Sequence, residues 1–107
     1  MQKTSREIIS KIIDDTKDDK LMWIMSNSTI VYTTFTTLIQ ITDTKYIRIE
    51  LNSYSNNQYM SSIAINYFIN NIKNSVGVIS FYQDNRVLEL IKILNSKVLN
   101  GEIKRKN

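Results

Sequence analysis

A chain of 107 residues with 42% apolar and 22% charged residues has the composition of one folded domain and is too short for two independent cores. It contains no cysteine, histidine or proline and only two glycines, which excludes disulfides, thiolate or imidazole catalysis, the usual zinc ligand sets and glycine-rich phosphate loops. Half of the net charge of +4 comes from Glu102, Lys104, Arg105 and Lys106, so the remaining body carries only +2 and lacks the clustered cations of a duplex-binding protein.

The first element is a helix. Thr4-Ser5-Arg6-Glu7 has the spacing of a capping box, and Ile8, Ile9, Ile12 and Ile13 recur on one helical face up to about Asp15. Asp14 and Asp15 fall at its C-terminal end, where the helix dipole disfavours anions, and Thr16 to Lys20 make a polar connection. From Leu21 the period changes to two. Leu21 to Met25 reads as a short strand, Ser26-Asn27-Ser28 as a turn, and Thr29 to Thr42 as a strand-rich run of β-branched and aromatic residues. Tyr46 to Leu51 alternates cleanly, with Ile47, Ile49 and Leu51 on one face and Tyr46, Arg48 and Glu50 on the other.

Residues 58–73 fit two templates. Ile65, Phe68, Ile69 and Ile72 suit a helix; Tyr59, Ile63, Ile65, Tyr67 and Ile69 suit one strand face. The poor helix formers Asn66, Asn70 and Asn71 favour a strand over 58–67. Val76 to Tyr82 reads as another strand. A second helix follows Gln83-Asp84-Asn85, with Val87, Leu90, Ile91, Leu94 and Val98 as its stripe and Asn100-Gly101 as its stop. Short turns between strands require antiparallel pairing. The expected fold is therefore α+β: an antiparallel sheet of about four to five strands, with an N-terminal and a C-terminal helix packed on one face. Residues 1–101 form the single domain and 102–107 a basic, flexible tail.

The segment Asp15-Thr16-Lys17-Asp18-Asp19-Lys20-Leu21-Met22-Trp23 after an isoleucine-rich helix, then Tyr32-Thr33-Thr34, then Leu90-Ile91-x-x-Leu94, resembles small α+β proteins of low-GC bacteria, their phages and mobile elements. The resemblance implies a fold and no activity. The 18 isoleucines, 12 asparagines and excess of lysine over arginine fit the codon bias of an AT-rich genome.

Chemistry-bearing constellations are few. Asp14, Asp15, Asp18 and Asp19 fail the calcium-loop pattern, because the sixth position is Asp19 rather than glycine and the twelfth is Met25. They read either as a solvated helix end or as a binding surface. A serine or threonine nucleophile lacks a histidine base. No cofactor or metal is expected, and no catalytic residue. Tyrosine, threonine and asparagine with a few arginines compose an adaptable protein-binding surface. Tyr32, Tyr46, Arg48, Asp18 and Asp19 are its candidate contacts. The expected function is a non-enzymatic protein-binding module, in its concrete form a phage or mobile-element inhibitor of a host defence system such as CRISPR. The alternative is a small RNA- or DNA-binding regulator using Arg48, Arg86, Lys92, Lys104, Arg105 and Lys106. No apolar run is long enough to span a membrane and Met1-Gln2-Lys3-Thr4 opens no apolar leader, so residence in the cytoplasm is expected. An exposed strand edge would also permit a homodimer.

Overall fold

The computed structural model describes residues 5–105. Two helices, α1 (Ser5–Lys17) and α2 (Arg86–Leu99), flank the strands β1 (Trp23–Ser28), β2 (Tyr32–Thr42), β3 (Lys45–Tyr54), β4 (Ser62–Ile69) and β5 (Ile72–Ser80), and a short β6 (Lys104–Arg105) follows α2. β1 to β5 pair antiparallel in chain order, while β6 lies parallel to β1, giving the order β5-β4-β3-β2-β1-β6. This is the expected α+β architecture.

Side-chain alternation sorts the strands into an inner and an outer face. Met25, Phe35, Leu51, Ile63 and Ile79 are successive cross-strand partners, and all are buried. The next row is Trp23, Thr37, Ile49, Ile65 and Gly77. Onto these rows pack Ile9, Ile12 and Ile13 of α1 and Val87, Leu90, Ile91 and Leu94 of α2, in one continuous core. Each such side chain contributes about 1.5–3 kcal/mol when fully buried. Both helices therefore cover the same face, and among the described residues nothing is layered on the outer face.

The helix ends follow one design. At α2, Gly101 (φ 77°) donates its N–H to Val98 O and Glu102 to Lys97 O, as the Asn100-Gly101 stop requires. At α1 the left-handed position is Asp19 (φ 58°), and the N–H groups of Asp19 and Lys20 bond Thr16 O and Asp15 O. Aspartate tolerates this conformation better than most non-glycine residues. Thr16, fully buried, joins helix to sheet: its Oγ1 donates to Ile12 O at 2.7 Å and accepts from Trp23 Nε1 at 3.0 Å.

Several boundaries differ from the sequence expectation. The capping box begins at Thr4, outside the described residues. β1 runs through Ser26-Asn27-Ser28, because a bulge between Met25 and Asn27 carries the strand past an apparent turn. The ambiguous 58–73 segment is a short 3-10 turn (Gln58–Met60) followed by β4 and the start of β5. Asn70 and Asn71 are the hairpin turn between them, both at positive φ (52° and 65°), where asparagine is the best residue after glycine. The tail expected at 102–107 starts too early. Ile103 is buried in the core and Lys104 and Arg105 pair with Ile24 and Met25. The apolar side chain of Ile103 and the unpaired edge of β1 hold this segment down.

The Thr16–Trp23 bond gives a stability test. Thr16→Val leaves a buried indole N–H without its acceptor and should cost about 1–3 kcal/mol in urea unfolding. In a Trp23→Phe background, which has no indole N–H, the same substitution should cost markedly less. Equal costs in the two backgrounds would show that the bond contributes nothing.

Candidate functional site

The uncovered outer face is organised around β3, a central strand. Across it run two rows of partners: Ile24, Thr36, Glu50, Ala64 and Val78, then Leu38, Arg48, Asn66 and Ser75. A third row places Gln40, Tyr46, Phe68 and Lys73 side by side. Phe68 is only 7% exposed although no helix covers it. Its cover comes from its neighbours. Tyr46 stacks on its ring at 4.7 Å with planes 7° apart, and the Arg48 guanidinium sits 4.7 Å from the ring centroid. Arg48 Nε also lies 2.7 Å from Glu50 Oε1, yet its buried N–H is not aimed at that oxygen and finds no aligned acceptor. Stacking and charge thus fix the guanidinium and leave its hydrogen-bonding capacity partly unused.

Beside this cluster, Met22, Ile24, Thr36, Leu38, Tyr46 and Arg48 line an open groove of about 520 Å³. Leu38 is 57% and Ile24 41% exposed. Small polar side chains pair among themselves along the same face: Ser26 with Thr36 at 2.9 Å, and Thr34 Oγ1 donating to Asn52 Oδ1 at 2.8 Å. Among the described residues, Arg48, Glu50, Lys73 and, at the β6 edge beside Ile24, Lys104 are the charged residues on the outer rows.

The residues expected to bind a protein are not all together. Tyr46 and Arg48 are neighbours at the groove. Tyr32 has the same outward parity but stands at the far end of β2, against Tyr54 at 5.7 Å, and accepts a hydrogen bond from Asn27 Nδ2. Tyr54 is six positions along β3 from Arg48, about 20 Å. Asp18 and Asp19 lie on the connection after α1, away from this face. Asp19 closes the helix and accepts from Lys97 Nζ at 2.7 Å, a hydrogen bond that raises the Lys97 pKa. Of six tyrosines, Tyr32, Tyr46 and Tyr54 have outward parity, while Tyr59 and Tyr82 stack on each other beside Phe81 at one end of the sheet. Missed in the sequence were Phe68, Leu38 and Ile24. Their outward parity follows from strand registers that the sequence pattern left open.

The nucleic-acid set is more scattered still. Arg86 is spent on structure: Nε and Nη2 donate to Asp84 at 3.0 and 2.6 Å, Nη2 also to Arg6 O at 2.7 Å, and Nη1 to Ser10 Oγ, tying α2 to α1. Lys92 is exposed on α2, and Lys104 is exposed on β6, where Arg105 follows it. Lys106 lies outside the described residues. No group of three or more potential metal ligands forms among the described residues. No protein-family model, curated protein or solved structure matches the chain.

The Arg86 hydrogen bond holds the half-buried Asp84 carboxyl below its ordinary pKa, against the opposing effect of burial. A lowered folded-state value means that this pair stabilises fully above the unfolded value of about 4 and that the contribution is lost as pH falls through the folded value. Asp84→Asn should therefore be less stable than the parent near neutrality, and the two stabilities should converge as the pH drops below about 4. A gap that stays constant across that range, in urea titrations, would remove Asp84 from the acid response.

Proposed function

We propose that this chain is a non-enzymatic protein-binding module that engages a partner protein through the outer face of its sheet, with Arg48 at the centre of contact. The observation that carries this reading is a charge-poor, uncovered face on which one arginine is held in place by an aromatic ring. Interfaces are depleted of charge at their cores and enriched in aromatic residues and arginine, and their binding energy concentrates in a few such anchors. Leu38, Ile24 and Met22 supply apolar area around the anchor. Glu50 neutralises Arg48 locally, which suits a protein surface and opposes a phosphate backbone.

The nucleic-acid alternative has less support, because its cations form no stripe: Arg48 is central on the outer face, Lys104 stands at its β6 edge, Arg86 is tied to Asp84, and Lys92 lies on α2. The non-enzymatic part of the reading rests on composition, since histidine and cysteine are absent. The narrower reading, an inhibitor encoded by a phage or mobile element against a host defence complex, draws on small size and AT-rich composition. Cytoplasmic residence accompanies it, and no described helix is long and apolar enough to cross a membrane.

Affinity capture followed by binding to the purified partner tests the site. Arg48→Ala and Leu38→Lys should each weaken binding by about 1–3 kcal/mol or more, the range for an interface anchor. Lys92→Ala, on α2, should leave it unchanged. Deleting residues 102–105 is not a neutral control, since it removes Ile103 and β6. Binding that depends on Lys92 and Lys104, and falls with salt at a log–log slope of about −0.7 to −0.9 per phosphate neutralised, would establish the nucleic-acid reading instead.

A further inference from the structure

The same face has a second property: it is complementary to itself. Arg48 and Glu50 are two residues apart on β3, with the cation and anion 2.7 Å from each other at the middle of the face. Consider two copies packed outer face to outer face about a two-fold axis lying between the sheets. If the axis runs along the strands, Arg48 faces Arg48 and Glu50 faces Glu50. If it runs across the strands, between the two rows, each Arg48 faces the other copy's Glu50. Charge thus selects the second arrangement. It sets Thr36 against Leu38 and Ala64 against Asn66, with β3 over β3 in the aligned geometry of packed sheets.

We infer that the free protein closes this face on a second copy of itself, a four-layer helix–sheet–sheet–helix dimer in which the partner-binding groove is hidden until a partner displaces the copy. The inference rests on the reading of the outer face as a docking surface. Area supports it: five strands about 4.8 Å apart and roughly seven residues long offer roughly 550 Å² of flat face per copy, so a dimer buries roughly 1,100 Å², just above the threshold of a specific interface. An interface near that lower bound is weak enough for a partner to open. The Arg48 and Glu50 side chains each keep about a third of their surface exposed (33% and 30%), so both can be reached by a second copy.

The strand edges are poorer routes to a dimer. β6 is two residues long and both are cationic. β5 carries Lys73 and a bulge opposite Ile65 and Asn66, which interrupts any ladder laid along it.

Sedimentation velocity on the full chain, from micromolar to near-millimolar protein, decides the matter. The parent should be a dimer at the upper end and dissociate on dilution. Arg48→Glu and Glu50→Arg should each weaken dimerisation about tenfold or more by facing like charges. An equimolar mixture of the two should dimerise again, because every facing pair is then of opposite sign, and that recovery also shows that both variants are folded. Leu38→Lys should give a monomer. A parent that is monomeric throughout overturns the inference, as does a mixture that does not recover. A dimer indifferent to these changes but lost on Val76→Lys would place contact at the β5 edge and overturn it too. Partner capture is scored separately. Capture by a chain that is always monomeric refutes the dimer alone, and a dimer that captures nothing refutes the protein-binding reading alone.

Discussion

The row Met25–Phe35–Leu51–Ile63–Ile79 is the constraint from which the rest of the molecule follows. Strand side chains alternate, so a slip of one residue between any two strands would turn one strand's core residues outward. With this row fixed under two helices, every residue of opposite parity is committed to the other side. Arg48, Glu50, Phe68 and Leu38 reach the outer face for that reason, before any argument about what they bind. The helices then need only one apolar stripe each, and among the described residues no third element covers the second face.

The legible parts of the sequence are those where local and global signals agree. Tyr46 to Leu51 alternates without interruption, and β3 and β4 are paired to each other over eight residue pairs without a register shift. The two helical stripes are equally plain, and Asn100-Gly101 names its own helix stop. The errors fall where a bulge or an unusual turn intervenes. The bulge after Met25 made Ser26-Asn27-Ser28 resemble a loop. The shift opposite Ile65 and Asn66 hid the first half of β5, and Asn70-Asn71 counted against a helix without being recognised as a two-residue hairpin turn. Thr16 reads as loop by its polarity, whereas the structure places it in the last turn of α1, bonded to Trp23.

The candidate site was half legible. Tyr46 and Arg48 could be placed on one face from alternation within a single strand. Phe68, which fixes the guanidinium, stands on a different strand whose register no local pattern supplied. Asp14 and Asp15 stand in apparent conflict with the helix dipole, and Asp18 and Asp19 extend the same acidic cluster. The structure resolves much of that conflict locally: Lys11 pairs with Asp15 at 3.1 Å and Lys97 with Asp19 at 2.7 Å. A left-handed residue was also required where Asp19 stands. Unfavourable placement is thus a weak guide to function when long cations are within reach.

Arg48 has to satisfy three neighbours at once, and this decides what the outer face can accept. The Phe68 ring holds the guanidinium down, Glu50 balances its charge, and Tyr46 packs on the same ring from the next position along β3. A ligand that engages Arg48 by charge alone must compete with Glu50 and gains little, since the pair is already close to neutral. A ligand that brings polar groups together with apolar area gains twice, because it meets the exposed third of the Arg48 side chain and covers Leu38, Ile24 and Met22. Protein surfaces supply both in one rigid body, and a second copy of the same face supplies them in matching positions. The physical character of the face therefore favours a broad, shaped contact over a point charge, and makes Arg48 and Glu50 a register mark for whichever surface lies on it.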